Sequence, residues 1–343
     1  MTFYSRIART AAGAAAAVAL AGLAAAPAKA DEAVLTAVHA FPKNLIYSQS
    51  FLEYVDKVNA AGKGVVRIDV RGGPEAIAMF EQPQAVQRGV VDMVYTPGSF
   101  YASVLPEKDA LVASSINAPA ARESGAIDML DATHQKNMGV KYLGWMDSGI
   151  PFHIYTIAEP KVTAAGKPDF SGLKMRGNPI YNEWLKGYLE ATVASIPSNE
   201  VYTALERGTV DATPWTSIGI MDWSWEKFLK YRIDPAFFST DLGVIVNLDK
   251  WNGLSPEAQK VLQDVAIAHE KESFEKLQAL QKTELAEQEK RGIQPYKLGD
   301  AAGTAYINAA KDAALERMKK GMEEKGRGAE FAPLVEKFHA GAS

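Results

Sequence analysis

The chain has 343 residues, with 37 Lys and Arg against 41 Asp and Glu, and no cysteine. An acidic balance without a basic block gives nothing to neutralise phosphates, so nucleic acid is excluded as an expected partner. The lack of cysteine excludes disulfides, thiol catalysis, thiolate metal sites and anchoring through a lipid-modified Cys.

Residues 1–30 read as a secretory signal peptide. Arg6 and Arg9 supply a positive start, Thr10 to Ala26 is uncharged and rich in Ala, Val and Leu, and Ala28-Lys29-Ala30 is an A-x-A cleavage site. A membrane anchor fits less well, because the run is short, rich in Ala and Gly, and interrupted by Pro27. Cleavage before Asp31 leaves 313 residues, with 34 basic against 41 acidic side chains. No later stretch approaches a spanning length, so the mature chain is expected to be soluble. A chain of that size without covalent staples must rely on its core, and usually divides into two domains.

After Asp31, short β-rich runs alternate with helical stretches, which predicts an α/β fold. Strands are expected at Val34–Val38, Val65–Val70, Val91–Tyr95, Val140–Trp145, Phe152–Ile157, Leu173–Arg176, Val210–Ala212 and Gly243–Leu248. Helices are expected at Ser48–Ala60, Gln82–Arg88 and Glu200–Arg207, with turns at Gly72-Gly73-Pro74, Pro97-Gly98 and Gly177-Asn178-Pro179. Ser255-Pro256-Glu257 is a helix start with an N-cap Ser, Pro at the first helical position and an early acid. Nothing stops that helix before Gly292. Its length, about 50 Å, exceeds the width of a lobe of about 150 residues, about 40 Å. One long helix would therefore cross both lobes; a break near the polar Glu270–Phe274 stretch, giving a helical hairpin, is the alternative.

Catalytic signatures are missing. None of His39, His134, His153, His269 and His339 belongs to an H-E-x-x-H motif, and no G-x-S-x-G, P-loop or G-x-G-x-x-G occurs. Binding chemistry is better represented. Asp169-Phe170-Ser171-Gly172-Leu173-Lys174-Met175-Arg176-Gly177-Asn178 puts an Arg at the end of a short strand, just before a turn. Strand ends at a crevice are where α/β folds bind ligands, and a planar guanidinium pairs with both oxygens of a carboxylate. Taken alone, such an Arg is more often a surface ion pair.

Four separated segments change that weighting. Gly172, Leu173, Lys174 and Arg176 form a G-L-K-x-R motif. Ile196-Pro197 is followed by Glu200-Val201-Tyr202-Thr203-Ala204-Leu205-Glu206-Arg207-Gly208-Thr209-Val210-Asp211. Upstream stands Gln84-Ala85-Val86-Gln87-Arg88-Gly89-Val90-Val91-Asp92-Met93, and downstream Lys250-Trp251-Asn252-Gly253-Leu254-Ser255-Pro256. Together, and in this order, they resemble the solute-binding proteins of tripartite ATP-independent periplasmic (TRAP) transporters, the DctP family.

The resemblance implies a two-lobed periplasmic binding protein fold with hinge strands and a long domain-spanning helix, closing on its ligand. We expect lobe I at 31–153 plus 243–282, and lobe II at 154–242 plus 283–343. It implies that Arg176 fastens the carboxylate of a small organic acid, which is passed to the transporter's integral membrane subunits. Trp215 keeps an aromatic that relatives place near the ligand, whereas Pro214 stands where a metal-binding carboxylate would be. Neither metal nor cofactor is therefore expected.

Other candidates come from matching positions. Tyr95 and the Thr96-Pro97-Gly98 turn, and Phe41, would line the crevice from the first lobe. Phe152 and His153 lie near where some relatives place a second Arg; His153 serves equally well as a satisfied interior imidazole. Asn178 and Tyr181 follow Arg176, Ser198 opens a helix, and Asp241 is either a ligand contact or a turn cap. The aromatic-dense stretch Trp215, Trp223, Trp225, Phe228 and Tyr231 reads mainly as lobe packing, with Trp215 toward the cleft. The expected protein is a periplasmic monomer of Gram-negative type and not an enzyme. A clamp reporting to a sensor is the first alternative, a periplasmic enzyme the second, and a surface adhesin fits poorly for want of repeats.

Overall fold

The computed structural model describes residues 31–339; the expected signal segment 1–30 lies outside them. The chain runs β1 (Ala33–His39), α1 (Ile46–Ala61), β2 (Val66–Gly72), α2 (Gln82–Gln87), β3 (Met93–Pro97), α3 (Asp109–Val112), α4 (Ala118–Glu123), α5 (Ala126–Met138) and β4 (Val140–Trp145). It continues through β5 (Phe152–Thr156), β6 (Lys161–Val162), β7 (Pro168–Asp169), β8 (Lys174–Gly177), α6 (Asn182–Gly187), β9 (Thr192–Ser195), α7 (Val201–Glu206) and β10 (Ala212–Thr216). The last part holds β11 (Tyr231–Asp234), β12 (Leu242–Asn247), α8 (Leu248–Asn252), α9 (Pro256–Lys290), β13 (Gln294–Lys297), α10 (Asp300–Glu324) and α11 (Phe331–His339).

Two sheets organise these elements. The first has order β2-β1-β3-β12-β4, with β1 parallel to β2 and β3, and β12 antiparallel to β3 and β4. The second has order β13-β11-β5-β10-β8-β9, and within it β8 runs parallel to both β9 and β10. Central strands carry no polar alternation because both faces are covered. Every residue of β3 and β10 is buried. On α1 the buried Tyr47, Phe51, Tyr54, Val55 and Val58 recur at helical spacing, making the stripe that packs on the first sheet.

The chain crosses between the sheets after β4 and again before β12. The two crossing segments pair with one another: Phe152 N donates to Phe238 O at 2.9 Å and Thr240 N to Ile150 O at 3.0 Å. Helix α9 braces the first crossing and the loop that follows β10. It is one unbroken element of 35 residues, capped by Ser255, whose Oγ accepts from Ala258 N at 3.2 Å. The polar stretch near Glu270 does not break it, because those side chains have partners across the interface. Glu270 takes Arg122 in a two-pronged pair at 2.6 and 2.8 Å and accepts from Trp145 N at 2.7 Å. Ser273 Oγ accepts from Asp147 N at 3.1 Å, and Gln278 Nε2 donates to Gly149 O at 2.6 Å. Two turns on, Gln288 Nε2 donates to Ser217 O at 2.8 Å, and Glu284 accepts from Gly219 N at 3.1 Å.

The C-terminal helices depart from the expected division of the chain. Met318, Met322, Leu334 and Phe338 join a core cluster with Val38, Val94 and Trp145, so α11 and the end of α10 lie against the first sheet. Their apolar stripe finds its groove there, with Phe338 edge-on to Trp145 at 6.2 Å.

Removing the Glu270 carboxylate would leave a half-buried guanidinium with Leu143 O alone accepting from it, and a buried backbone N–H without an acceptor. Glu270→Ala is expected to cost on the order of 3 kcal/mol of unfolding free energy in urea titration. A loss well under 1 kcal/mol would mean that α9 does not depend on this pair.

Candidate functional site

A cavity lies where β3, β8, β10 and the residues before β12 converge. Its volume is about 40 Å³, enough for a few water-sized groups. Its walls are largely apolar, from Phe41, Phe100, Phe152, Ile180, Trp215 and Leu242. Polar groups come from Ser99, Arg176, Asn178, Tyr181, Thr216 and Asp241. A mostly apolar recess with a few placed polar groups suits a small molecule.

Arg176 is the third residue of β8 and is 2 % exposed. Pairing of Arg176 with Ala194 on β9 sets its position. The chain can turn immediately after it because residue 177 is glycine: a Cβ there would lie 2.3 Å from both Asn182 Oδ1 and Val193 Cγ1. The guanidinium donates from Nε to Ile196 O at 2.9 Å and from Nη1 to Tyr181 Oη at 2.5 Å. Its Cζ stands 5.9 Å over the Trp215 ring. Among the described residues no group accepts from Nη2, and no carboxylate forms an ion pair with Arg176. Charged side chains this deeply buried are normally paired. This one is oriented by neutral groups only.

Asn178 follows in a tight turn. Its Oδ1 accepts from Ile180 N at 3.1 Å, which leaves the amide nitrogen without a protein acceptor among the described residues. Burial pushes the Tyr181 hydroxyl up, and the neighbouring Arg176 opposes that shift. Trp215 is held by a bond from Nε1 to Ile218 O at 3.1 Å and by edge contacts with Phe41, Trp223 and Trp225. Trp223 and Trp225 stack on each other behind it, at 5.5 Å, and do not reach the cavity.

On the opposite side Asp241 is 4 % exposed and accepts from Ser99 N at 2.8 Å. Burial raises its pKa, and the cation of Lys108 works against that rise. Lys108 is itself buried, with Nζ 4.3 Å from the centre of the Tyr142 ring. Burial pulls its ammonium down to about 7, against the attraction of Asp241 and Asp109.

Of the ten residues singled out in the sequence, Phe41, Phe152, Arg176, Asn178, Tyr181, Trp215 and Asp241 line this cavity. Three do not. His153 points to the other face of β5 from Phe152, and its Nδ1 lies 3.0 Å from both Ile233 O and Asp234 Oδ1. Tyr95 is a core residue, stacked on Phe51 at 5.1 Å and donating to the Asp147 carboxylate. Ser198 is buried against Met79, with Oγ 3.9 Å from the sulfur. Conversely Tyr47, Ser99, Phe100 and Thr216 line the cavity without having been singled out. Thr216 follows Trp215 and accepts from Tyr47 Oη at 2.8 Å, so the two belong to one cross-cleft contact. Alternation along a strand does not distinguish a residue at its mouth from one in its core, and loop residues such as Ser99 and Phe100 carry no periodicity at all.

The profile of the DctP family, bacterial extracellular solute-binding protein family 7, matches residues 37–321. The chain belongs to this family. A solute-binding protein of Albidiferax ferrireducens is 24 % identical over 212 residues, covering 59 % of this chain and 61 % of that protein. The match thus spans about three fifths of that curated relative's length. A TRAP transporter solute-binding protein from Bordetella bronchiseptica, with calcium and picolinate, has a TM-score of 0.76 at 19 % identity, covering 90 % of this chain and 92 % of that one. A Bordetella pertussis extracytoplasmic solute receptor binding pyroglutamic acid gives a TM-score of 0.73 at 18 % identity, covering 89 % and 99 %. The fold is that of TRAP solute-binding proteins.

Arg176 carries a charge the fold does not compensate, so the free protein gains little from it. Arg176→Met is expected to leave unfolding free energy without ligand within about 1 kcal/mol of the wild type, measured in urea. A drop of about 3 kcal/mol would assign this Arg to the core.

Proposed function

We propose that this protein captures a small organic carboxylate in the cavity between its two sheets, with Arg176 as the anchor, and delivers it to the integral membrane subunits of a TRAP transporter. The observation that carries this reading is the buried guanidinium with a free Nη2 and no carboxylate partner among the described residues. A bound carboxylate would supply the missing charge, and exclusion of water would strengthen the pair. Asn178, also on the lining, would offer Nδ2 as a further donor, and Phe41, Phe152 and Trp215 would hold an apolar or aromatic tail. The acid would be taken up in the periplasm by the monomer, after removal of residues 1–30. The lobes would be built on the two sheets, with the crossings near 150 and 240 as the hinge.

Removing one partner of such a buried pair costs on the order of 3–5 kcal/mol. Arg176→Ala should therefore weaken binding about a hundredfold or more in calorimetric titration, using the best acid from a thermal-shift screen. Arg176→Lys should recover only part of this, because an ammonium lacks the planar fork. Binding of Arg176→Ala within a few-fold of the wild type would place the anchor elsewhere.

The Bordetella bronchiseptica protein holds calcium with its picolinate. Here Asp241 is the one acidic side chain lining the cavity among the described residues, and Pro214 sits one residue before Trp215. We propose that binding needs no cation. Affinity is expected to survive exhaustive chelation; loss in EDTA, restored by calcium or sodium, would contradict this.

A further inference from the structure

Arg176 and Asp241 line one cavity, both are almost completely buried, and no ion pair joins them. Opposite charges in a water-poor interior attract strongly. Here each is fixed separately, Arg176 by Ile196 O and Tyr181 Oη, and Asp241 by the Ser99 N–H. Only one oxygen of Asp241 is used in that bond; besides Ser99, the one N–H that lowers the pKa of this carboxylate is the residue's own, and no side chain donates to it among the described residues. The fold thus presents unused donors on the second-sheet side of a small recess and an unused charged acceptor on its first-sheet side.

Asp241 is kept there by its surroundings. Gly98 lies between it and the stem of Lys108: a Cβ at residue 98 would stand 2.2 Å from Lys108 Cε and 3.2 Å from Asp241 Oδ2. The glycine lets a buried ammonium approach from behind, outside the cavity lining, and favour the ionised carboxylate. A plain turn cap would need no such support, and Ser99 N–H would be equally well served by a neutral acceptor.

Building on the carboxylate reading above, we propose that Asp241 selects acids that carry an O–H or N–H donor at the end remote from the carboxylate. The donor bonds the free Asp241 oxygen while the carboxylate engages Arg176. A second carboxylate would meet the Asp241 charge, and an acid bearing only acceptors would leave that buried oxygen unmatched. Sites built to hydrogen-bond a ligand hydroxyl reject analogues lacking it, because their own polar groups are then stranded.

The test uses matched acids in the presence of EDTA: 3-hydroxybenzoate against 3-fluorobenzoate, and 4-hydroxypentanoate against 4-oxopentanoate. For each pair with measurable binding, calorimetry on the wild type should favour the donor-bearing acid by about tenfold or more. Asp241→Asn should erase the preference for the hydroxy acid over its keto partner. Its amide oxygen must take the Ser99 N–H, which turns the amide NH2 toward the cavity, where it donates to a hydroxyl or a carbonyl oxygen alike. Equal affinity of both kinds within about threefold in the wild type, with Arg176→Ala still abolishing binding, overturns this inference and leaves the anchor standing. A panel in which no acid binds the wild type contradicts the carboxylate reading itself. The wild-type comparison decides even if Asp241→Asn fails to fold.

Discussion

The constraint on which the site depends is a positive charge buried without a negative one. Placing a guanidinium out of water costs several kcal/mol unless it is matched. In this protein the matching is partial: a backbone carbonyl, a tyrosine oxygen and an aromatic face surround Arg176. These neutral partners orient the group and soften the cost without cancelling the charge. Everything near it serves that arrangement, from the Cβ-free turn at Gly177 to the edge-packed tryptophans that keep Trp215 in place. A ligand anion bound as proposed would complete the electrostatics and make binding and desolvation the same event.

Such a site has to be rigid where it holds the charge and adjustable where the sheets meet. Rigidity comes from β8 lying between two parallel neighbours in the second sheet. Where the sheets meet, the contacts include Tyr47 to Thr216, Phe41 on Trp215, and the Asp222 carboxylate accepting from Ile46 N at 2.9 Å at the start of α1. Helix α9 runs past the first crossing and the loop after β10 and ties each to itself by side-chain hydrogen bonds. Its polar residues are thus the means by which a long helix grips two irregular segments whose backbone groups lack strand partners.

Much of this was legible in the sequence where local chemistry and tertiary demand agree. Strand Val140–Trp145 and the helix starting at Ser255-Pro256 fall where their residues predict, because β-rich runs and caps act locally. The end of β8 at Arg176-Gly177 was legible for the same reason. Strands β9, β11 and β13 were not, since each depends on its neighbours for definition. Strand β10 begins at Ala212, where the reading had it end; its Thr-Pro-Trp-Thr run looks like a loop until β5 pairs with it. His153 looked available because adjacent positions on a strand are indistinguishable without knowing which face meets the cavity. The company Asp241 keeps, Lys108 behind and Ser99 beside, joins residues some 130 to 140 positions apart, which no local pattern records.

The most direct measurement of the central claim is a crystal structure of the protein with the tightest-binding acid from the screen. The account predicts the ligand carboxylate in hydrogen-bond contact with Arg176 Nη2, about 2.7–2.9 Å away, while Nε stays on Ile196 O. A carboxylate seated elsewhere in the cavity, with Arg176 still bonded only to protein or swung over to Asp241, would contradict it.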